Sequence, residues 1–542
     1  MVLIRFLLKE SNASLYSLGG MAVLSGIMSV VLLAIINVAA ASVEDQQSTT
    51  RFLFLFAIAL AMYILAEKSL LVSSTTLVET ILKDLRERLT NKIRYAELLP
   101  LEGIGRARIY ASVNTEIQAI SQTTQPMIHA CQAACLVLFS LVYLGYISLI
   151  ALLLMLVLTA VGLSIHFHRM REMSDSLKEA FVRDNRFFEA LTHILDGFKE
   201  VKMHESRSRD LALHVQDASA AVADLKISIG TRFANDFAIS QTIFYLVVGG
   251  IVFLVPQLSA TYSSVVMKAT ATILFIIGPL TNLIGTLPLF GQAGVAIERI
   301  YELERQLDSY VDARAGQNGE SPAVSLVKAF ECIDFSGVTF QYTDRQGFPL
   351  FTVGPLDLHI QSGETVFIVG GNGSGKSTFL KLLTTLYYPP AGQIQLDGAP
   401  LTTDTYARYR NLFSIIFSDF HLFDRLYGLP DVDPTRVEHL LQFLEIQDKT
   451  SFVDGRFVNQ ELSSGQRKRL ALLVTLLEDR PIQVFDEWAA DQDPIFRRYF
   501  YEHILLDMKR QGKTIIVATH DDRYFHVADR VLKMESGKFV TM

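Results

Sequence analysis

The chain shows two patterns of apolar and polar positions. Up to about residue 300 it is a series of long, almost unbroken apolar runs. From about 327 short strand-like apolar segments alternate with helix-like ones, separated by glycine-rich turns. About 20 apolar residues are needed for a helix to cross a bilayer. The segments 17–41, 52–74, 126–145, 148–168, 238–257 and 264–290 meet that requirement and predict six spans. The third and fourth form one apolar stretch, with YLGY at 143–146 as the expected turn. Glu67 and Lys68 interrupt the second run, which places its inner end outside the hydrocarbon. Pro279 and Pro288 fall in the sixth, where neighbouring helices can re-satisfy freed carbonyls. The opening MVLIRFLLKE is too short and too charged for a span or a secretory signal, and reads as an interfacial helix leading into the first span.

Basic residues set the orientation. The stretch after the second run carries Lys83, Arg86, Arg88, Lys92, Arg94, Arg106 and Arg108. The stretch after the fourth carries Arg169, Arg171, Lys178, Arg183, Arg186 and others, whereas the loops near 42–50, 146 and 258–263 carry none. Positive charge collects on the cytoplasmic side, so both long loops and both termini are expected there. Apolar residues in TLVETILKDLRERLTNKI recur at three and four positions, which predicts helices continuing well beyond the membrane. A polar stretch rich in Gly, Ala and Ser at 311–326 suits a linker between a membrane domain, 1–310, and a second domain, 327–542.

Composition narrows the partners. Half of the 542 residues are hydrophobic, more than a soluble protein needs, and the net charge of -7 offers no polyanion-binding face, so nucleic acid is excluded as a partner. Three cysteines give no disulfide framework and read as reduced, packed thiols.

The second domain carries the chemistry. An apolar strand at 365–369 runs into Gly370-Gly371-Asn372-Gly373-Ser374-Gly375-Lys376-Ser377-Thr378. This is a phosphate loop in its strand–loop–helix setting. Glycines let backbone N–H groups converge on phosphate, and the helix start adds its positive end. Lys376 is placed to reach the β- and γ-phosphates and Ser377 to hold Mg²⁺. IQVFDE at 482–487 is a buried strand ending in two carboxylates. Asp486 suits the metal, and Glu487 suits a general base for the attacking water.

Four further segments resemble one superfamily. ELSSGQRKRL, with Ser463, Ser464, Gly465 and Gln466, is similar to the signature segment of ATP-binding-cassette ATPases, and lies between the phosphate loop and the Asp-Glu strand in that family's order. IIVATHDD puts His520 at the family's switch histidine. Tyr342 stands where the family stacks a tyrosine on adenine, with Phe340 as second candidate. Ala490-Asp491-Gln492-Asp493 stands where the family contacts the opposite ATPase domain, so Asp491 and Asp493 become inter-domain candidates. One position departs: Ser418, followed by Asp419, replaces a glutamine that leads this segment in the family. Either residue can serve the metal's water shell. FSIIFSDFHLFD, VFDEWAADQDP and THDDRYF narrow the resemblance to bacterial cyclic-peptide and peptide-siderophore exporters.

The resemblance implies an all-α, six-helix transmembrane domain of exporter type followed by an α/β ATPase domain. It implies ATP and Mg²⁺, a homodimer in which Ser463 and Gly465 close over nucleotide held by the other copy, and a bacterial inner membrane with the ATPase domain in the cytoplasm. The implied cargo is a small peptide or siderophore precursor. A lipid or drug flippase is the alternative within transport, and an ATP-gated channel or sensor is the alternative outside it. Polar residues within the runs, His129, Gln132, Gln241 and Lys268, are the candidates for the cargo path.

Overall fold

The computed structural model describes all residues except 1, 11–14, 45–49, 254–262, 309–328, 345, 430 and 541–542. The expected linker at 311–326 and the end of the fifth run lie outside the described residues. Two compact units emerge: Met1–Lys92 with Gly105–Gln306, and Ile93–Ile104 with Leu307–Met542. The short segment 93–104 thus groups with the second unit, a discontinuity that the linear division of the sequence does not show.

The first unit is helical. In chain order its helices are α1 (Val2–Glu10), α2 (Leu15–Glu44) and α3 (Thr50–Tyr95), then, after α4 (Leu98–Ile104) of the second unit, α5 (Arg106–Tyr110) and α6 (Ile117–Ile147). They continue as α7 (Leu149–Asp196), α8 (Phe198–Met203), α9 (Glu205–Phe253) and α10 (Ser263–Asp308). Among the described residues five helices are long and apolar enough to cross a membrane. The fourth expected run appears as the apolar start, Leu149–Gly162, of the 48-residue α7. In α3 the buried residues Ala59, Ala66, Leu70, Ser74, Val78, Leu82, Leu85 and Leu89 recur at helical spacing, so a single stripe faces the bundle along its length.

Two expectations change here. YLGY is not a turn: it belongs to α6, and the chain breaks at Ser148, whose backbone is extended and whose hydroxyl accepts from the Ala151 N–H to start α7. The opening helix does not merely lie at an interface. Phe6 and Leu7 are buried with Leu82, Leu85, Ile120 and Ile297. At its end Arg88 ties Glu10 (2.8 Å) to Glu304 (2.7 Å), which joins α1, α3 and α10.

In the second unit, β1 (Cys332–Thr343), β2 (Pro349–Gln361), β4 (Ala391–Leu396) and β5 (Ala399–Pro400) form an antiparallel sheet in the order β2-β1-β4-β5. The larger sheet runs β12-β11-β3-β10-β9-β6. It contains β3 (Thr365–Val369), β6 (Phe413–Ile416), β9 (Ile482–Asp486), β10 (Thr514–Ala518), β11 (Arg530–Glu535) and β12 (Lys538–Val540). All its pairings are parallel except that of β12, and a small hairpin pairs β7 (Phe452–Val453) with β8 (Arg456–Phe457). Every residue of β3, β9 and β10 is buried, as expected of central parallel strands covered on both faces. Two helices matter below: α11 (Lys376–Leu383) and α12 (Ser464–Glu478). Within this unit, Glu102 of α4 accepts from Lys381 Nζ (3.1 Å) and Tyr387 Oη (2.5 Å). Burial, with Glu102 beside it, pushes the Tyr387 hydroxyl well above its usual range.

The only tryptophan holds the core beneath the site. Trp488 is 1% exposed, stacks on Phe500 with centroids 4.2 Å apart, and donates its indole N–H to the Lys468 carbonyl at 2.8 Å. Trp488→Ala removes both and is expected to cost about 3–5 kcal/mol. Thermal melting of the full chain followed by circular dichroism should fall by about 10 °C. A midpoint within about 2 °C of wild type contradicts this packing role.

Candidate functional site

The site forms where three buried strands end side by side. Ala518 of β10 pairs with Ile368 of β3 on one flank and Asp486 of β9 on the other. Gly370, Glu487 and His520, each one or two residues further on, therefore arrive at the same carboxyl edge of the sheet, the usual ligand position of a parallel sheet.

The loop after β3 needs its glycines. Gly370 has φ +155°, and a Cβ there would lie 2.2 Å from the Met534 carbonyl oxygen. Gly375, with φ +108°, sits between the Met534 and Val353 side chains. By contrast, a Cβ at Gly371 or Gly373 would meet nothing within 4 Å, so the inner face of the loop is open. Asn372 and Ser374 complete the turn, and the Ser374 hydroxyl is buried with no partner among the described residues. Lys376, 5% exposed at the start of α11, donates to the Gly370 (2.9 Å) and Gly371 (3.2 Å) carbonyls and lies 3.5 Å from Glu487. A buried ammonium held only by loop carbonyls and one carboxylate can exchange the carbonyls for phosphate oxygens.

Asp486 tests the fit to a metal ion. One oxygen accepts from Ser377 Oγ (2.9 Å) and the Ser418 N–H (3.4 Å), while the other is buried without a partner. Burial raises its carboxyl above the usual carboxylate range, and among the described residues no cation pairs with it. An orphaned, buried carboxylate oxygen beside a serine hydroxyl fits Mg²⁺. Of the two residues that could replace the glutamine, Ser418 is the one at Asp486; Asp419 is exposed and makes no hydrogen bond or ion pair among the described residues.

Glu487 leaves β9 in a left-handed conformation, φ +52°, which turns its side chain toward the loop. His520 Nε2 lies 2.8 Å from Glu487 Oε1, and its Nδ1 lies 3.1 Å from the Gly370 carbonyl. Lys468, which the sequence reading did not single out, is buried and donates to the Glu487 carbonyl (2.7 Å), while also pairing with Asp491 (2.8 Å). Its signal was a lysine on the buried face of α12, with Ala471, Leu472 and Thr475.

The other candidates lie around this centre. Tyr342 is half-buried, and its hydroxyl meets Thr378 Oγ1 at 3.2 Å beside the loop. Phe340, on the same face of β1, is 3% exposed and stacks on Tyr387, so its ring is covered by the core and is not open to a ligand. Ser463 caps α12 in a reciprocal pair with Gln466, and Ser464 begins the helix. Gly465 approaches so closely that a Cβ would stand 2.7 Å from the Asp491 carbonyl oxygen. Among the described residues no hydrogen bond or ion pair joins 463–466 to the phosphate loop. Asp493 caps the next helix through the Ile495 and Phe496 N–H groups and pairs with Arg469 (2.6 Å). The backbone donors and Arg469 hold its carboxyl below the usual range. Asp491 and Asp493 are thus each engaged within the chain.

In the first unit, Gln132 alone of the four cargo-path candidates joins other polar groups. It is buried and donates to Ser25 Oγ (2.8 Å) and to the Glu67 carboxylate. His129 is exposed, Gln241 and Lys268 are half-buried, and none of the three has a side-chain polar partner among the described residues. The half-buried Glu67 carboxylate accepts from Ser25 and Gln132 within the bundle.

Comparison with known proteins places this arrangement. The family described as ABC transporter matches residues 353–490. The chain is similar along nearly its whole length to the ATP-binding protein SyrD of Pseudomonas syringae pv. syringae, at 32% identity over 528 residues, 96% of this chain and 93% of that one. Over 285 residues, 50% of this chain and 46% of the other, it is 32% identical to an ATP-dependent lipid A-core flippase of Alkalilimnicola ehrlichii. In fold it is similar to a bacterial Atm1-family ABC exporter solved with ATP bound, with a TM-score of 0.76 over 96% of this chain and 94% of that one, at 17% identity.

Proposed function

Because this chain belongs to the ABC transporter family, has the exporter fold and is an ATP hydrolase coupled to transport, we propose that two copies of it export a small peptide across a bacterial inner membrane. A peptide-siderophore precursor is the narrower form of that cargo. The reading places 1–310, with six spans, in the membrane and 327–542 in the cytoplasm. The observation that carries it is the carboxyl edge of the large sheet, where the phosphate loop, Asp486, Glu487 and His520 meet.

ATP binds with its phosphates in the loop at 370–378, where Lys376 exchanges the Gly370 and Gly371 carbonyls for phosphate oxygens. Mg²⁺, held by Ser377 and Asp486 with Ser418 nearby, would offset charge on the transferring phosphoryl group. Glu487 accepts a proton from the attacking water as the bond from the γ-phosphorus to the bridging oxygen breaks. His520, already against Glu487, orients that carboxylate and contacts the γ-phosphate. Tyr342 offers its ring to adenine. The signature residues Ser463, Ser464, Gly465 and Gln466 meet the nucleotide of the other copy. The γ-phosphate is then a contact made only in the closed state, which a ligand-driven shift requires.

Peptide cargo is supported by the similarity of FSIIFSDFHLFD, VFDEWAADQDP and THDDRYF to cyclic-peptide exporters. The lipid A-core flippase, matched over half of this chain, favours the second reading, a lipid flippase. ATP hydrolysis by the full chain in nanodiscs separates them. Stimulation of at least about twofold by cyclic peptides and none by added lipid A supports peptide export; the reverse supports flipping.

A further inference from the structure

We propose that Glu67, Ser25 and Gln132 form a site inside the membrane that receives a cationic group of the cargo, an ammonium or guanidinium carried beside an apolar group. This rests on the transport reading above and names a chemical feature of the cargo.

Three helices bring the polar groups together. Ser25 of α2 donates its hydroxyl to Glu67 Oε2 at 2.8 Å. Gln132 of α6 donates its amide to the same oxygen and to Ser25 Oγ. Ser25 is 0% and Gln132 8% exposed and Glu67 is half-buried, so the donors are buried in the bundle while the carboxylate they hold remains partly open. The helices approach closely enough to hold them: a Cβ on Gly26 would stand 2.9 Å from Cys135 Cβ.

The depth is given independently by three helices. From the outer ends of their helices, Thr50, Ile147 and Glu44, the groups lie 17 residues in for Glu67, 15 for Gln132 and 19 for Ser25. At 1.5 Å per residue these are about 26, 23 and 29 Å. All fall within a hydrocarbon core about 30 Å thick, toward its cytoplasmic side.

A carboxylate at that depth is costly unless a cation accompanies it. Among the described residues no Lys, Arg or His is within ion-pair reach of Glu67. Its neighbours are neutral donors, which orient one oxygen and supply no charge. One helical turn toward the cytoplasm, Ala22, Leu70 and Ile128 line an apolar cavity of about 260 Å³. An anionic acceptor above an apolar pocket selects a ligand with a cation next to an apolar body.

The test uses the full chain and tetraphenylphosphonium, a lipophilic cation, with the neutral triphenylphosphine oxide as control. Without nucleotide, the wild type should bind the cation saturably. Glu67→Gln should weaken that binding at least tenfold and Gln132→Leu at least threefold, with binding of the neutral control unchanged. Variants are compared only when they elute as wild type does on size exclusion. In the wild type itself, dicyclohexylcarbodiimide should modify Glu67, as read by mass spectrometry, and the cation should suppress that modification. Absence of saturable binding, affinities within twofold for Glu67→Gln, or labelling insensitive to the cation would each overturn the site. Because no nucleotide is used, such a failure leaves ATP-driven export standing, while failure of ATP-coupled transport leaves cation binding to be read separately.

Discussion

Glu487→Gln should bind ATP at least as tightly as wild type and hydrolyse it at least about a hundredfold more slowly, the scale of a lost general base. The substitution keeps the shape of the side chain. An amide oxygen can still accept from His520 Nε2, now 2.8 Å from the carboxylate, so the fold of the edge is retained. The ability to take a proton is removed, and with it the negative charge 3.5 Å from Lys376. That charge opposes phosphate binding, so its loss favours the nucleotide even as turnover stops. His520 lies against both Glu487 and the Gly370 carbonyl. Nucleotide affinity and steady-state ATPase on the same preparation check both halves. A rate above about a tenth of wild type contradicts the assignment of Glu487 as base.

Much of this site was legible in the chain because its chemistry is encoded in contiguous segments. The glycines of 370–375, the Asp486-Glu487 pair at a strand end and His520 after another apolar strand are each short and ordered. What the sequence hid were contacts across long separations. Lys468 reads as one more basic residue in a signature helix, and only the packed helix shows that it grips the Glu487 carbonyl. Ser418 and Asp419 are neighbours in sequence, and only the fold shows that the Ser418 backbone is the one at Asp486. Phe340 and Tyr342, two positions apart, share one face of β1, and only the packing separates them: Phe340 is 3% exposed and stacked on Tyr387, whereas Tyr342 is half-buried beside Thr378. In the membrane unit hydropathy found the apolar runs but not the partners of Glu67. A charged residue in an apolar run signals an end unless its partners are known, and Ser25 and Gln132 lie 42 and 65 residues away. The break between the third and fourth runs was misplaced for a local reason. Gly145 and two tyrosines resemble a turn, yet the whole segment stays helical until Ser148 supplies a cap.

The second large effect concerns one chain in isolation. Within its own chain, the Ser463 hydroxyl accepts from the Gln466 N–H, and Gly465 packs against the Asp491 carbonyl. These groups serve the start of α12, and among the described residues none is bonded to the phosphate loop. A single chain therefore offers a nucleotide the loop, Asp486, Glu487 and His520, but no signature donors. Loss of one preorganised donor to a developing oxyanion slows turnover about 10²- to 10³-fold. Here a hydroxyl and a helix N-terminus would be lost together. The most direct test loads nanodiscs with one copy or two, fixed by disc size and verified by mass, and measures ATP hydrolysis per chain. Two copies should hydrolyse at the full rate and one copy at least about a hundredfold more slowly, whereas equal rates per chain would contradict a site shared between two copies.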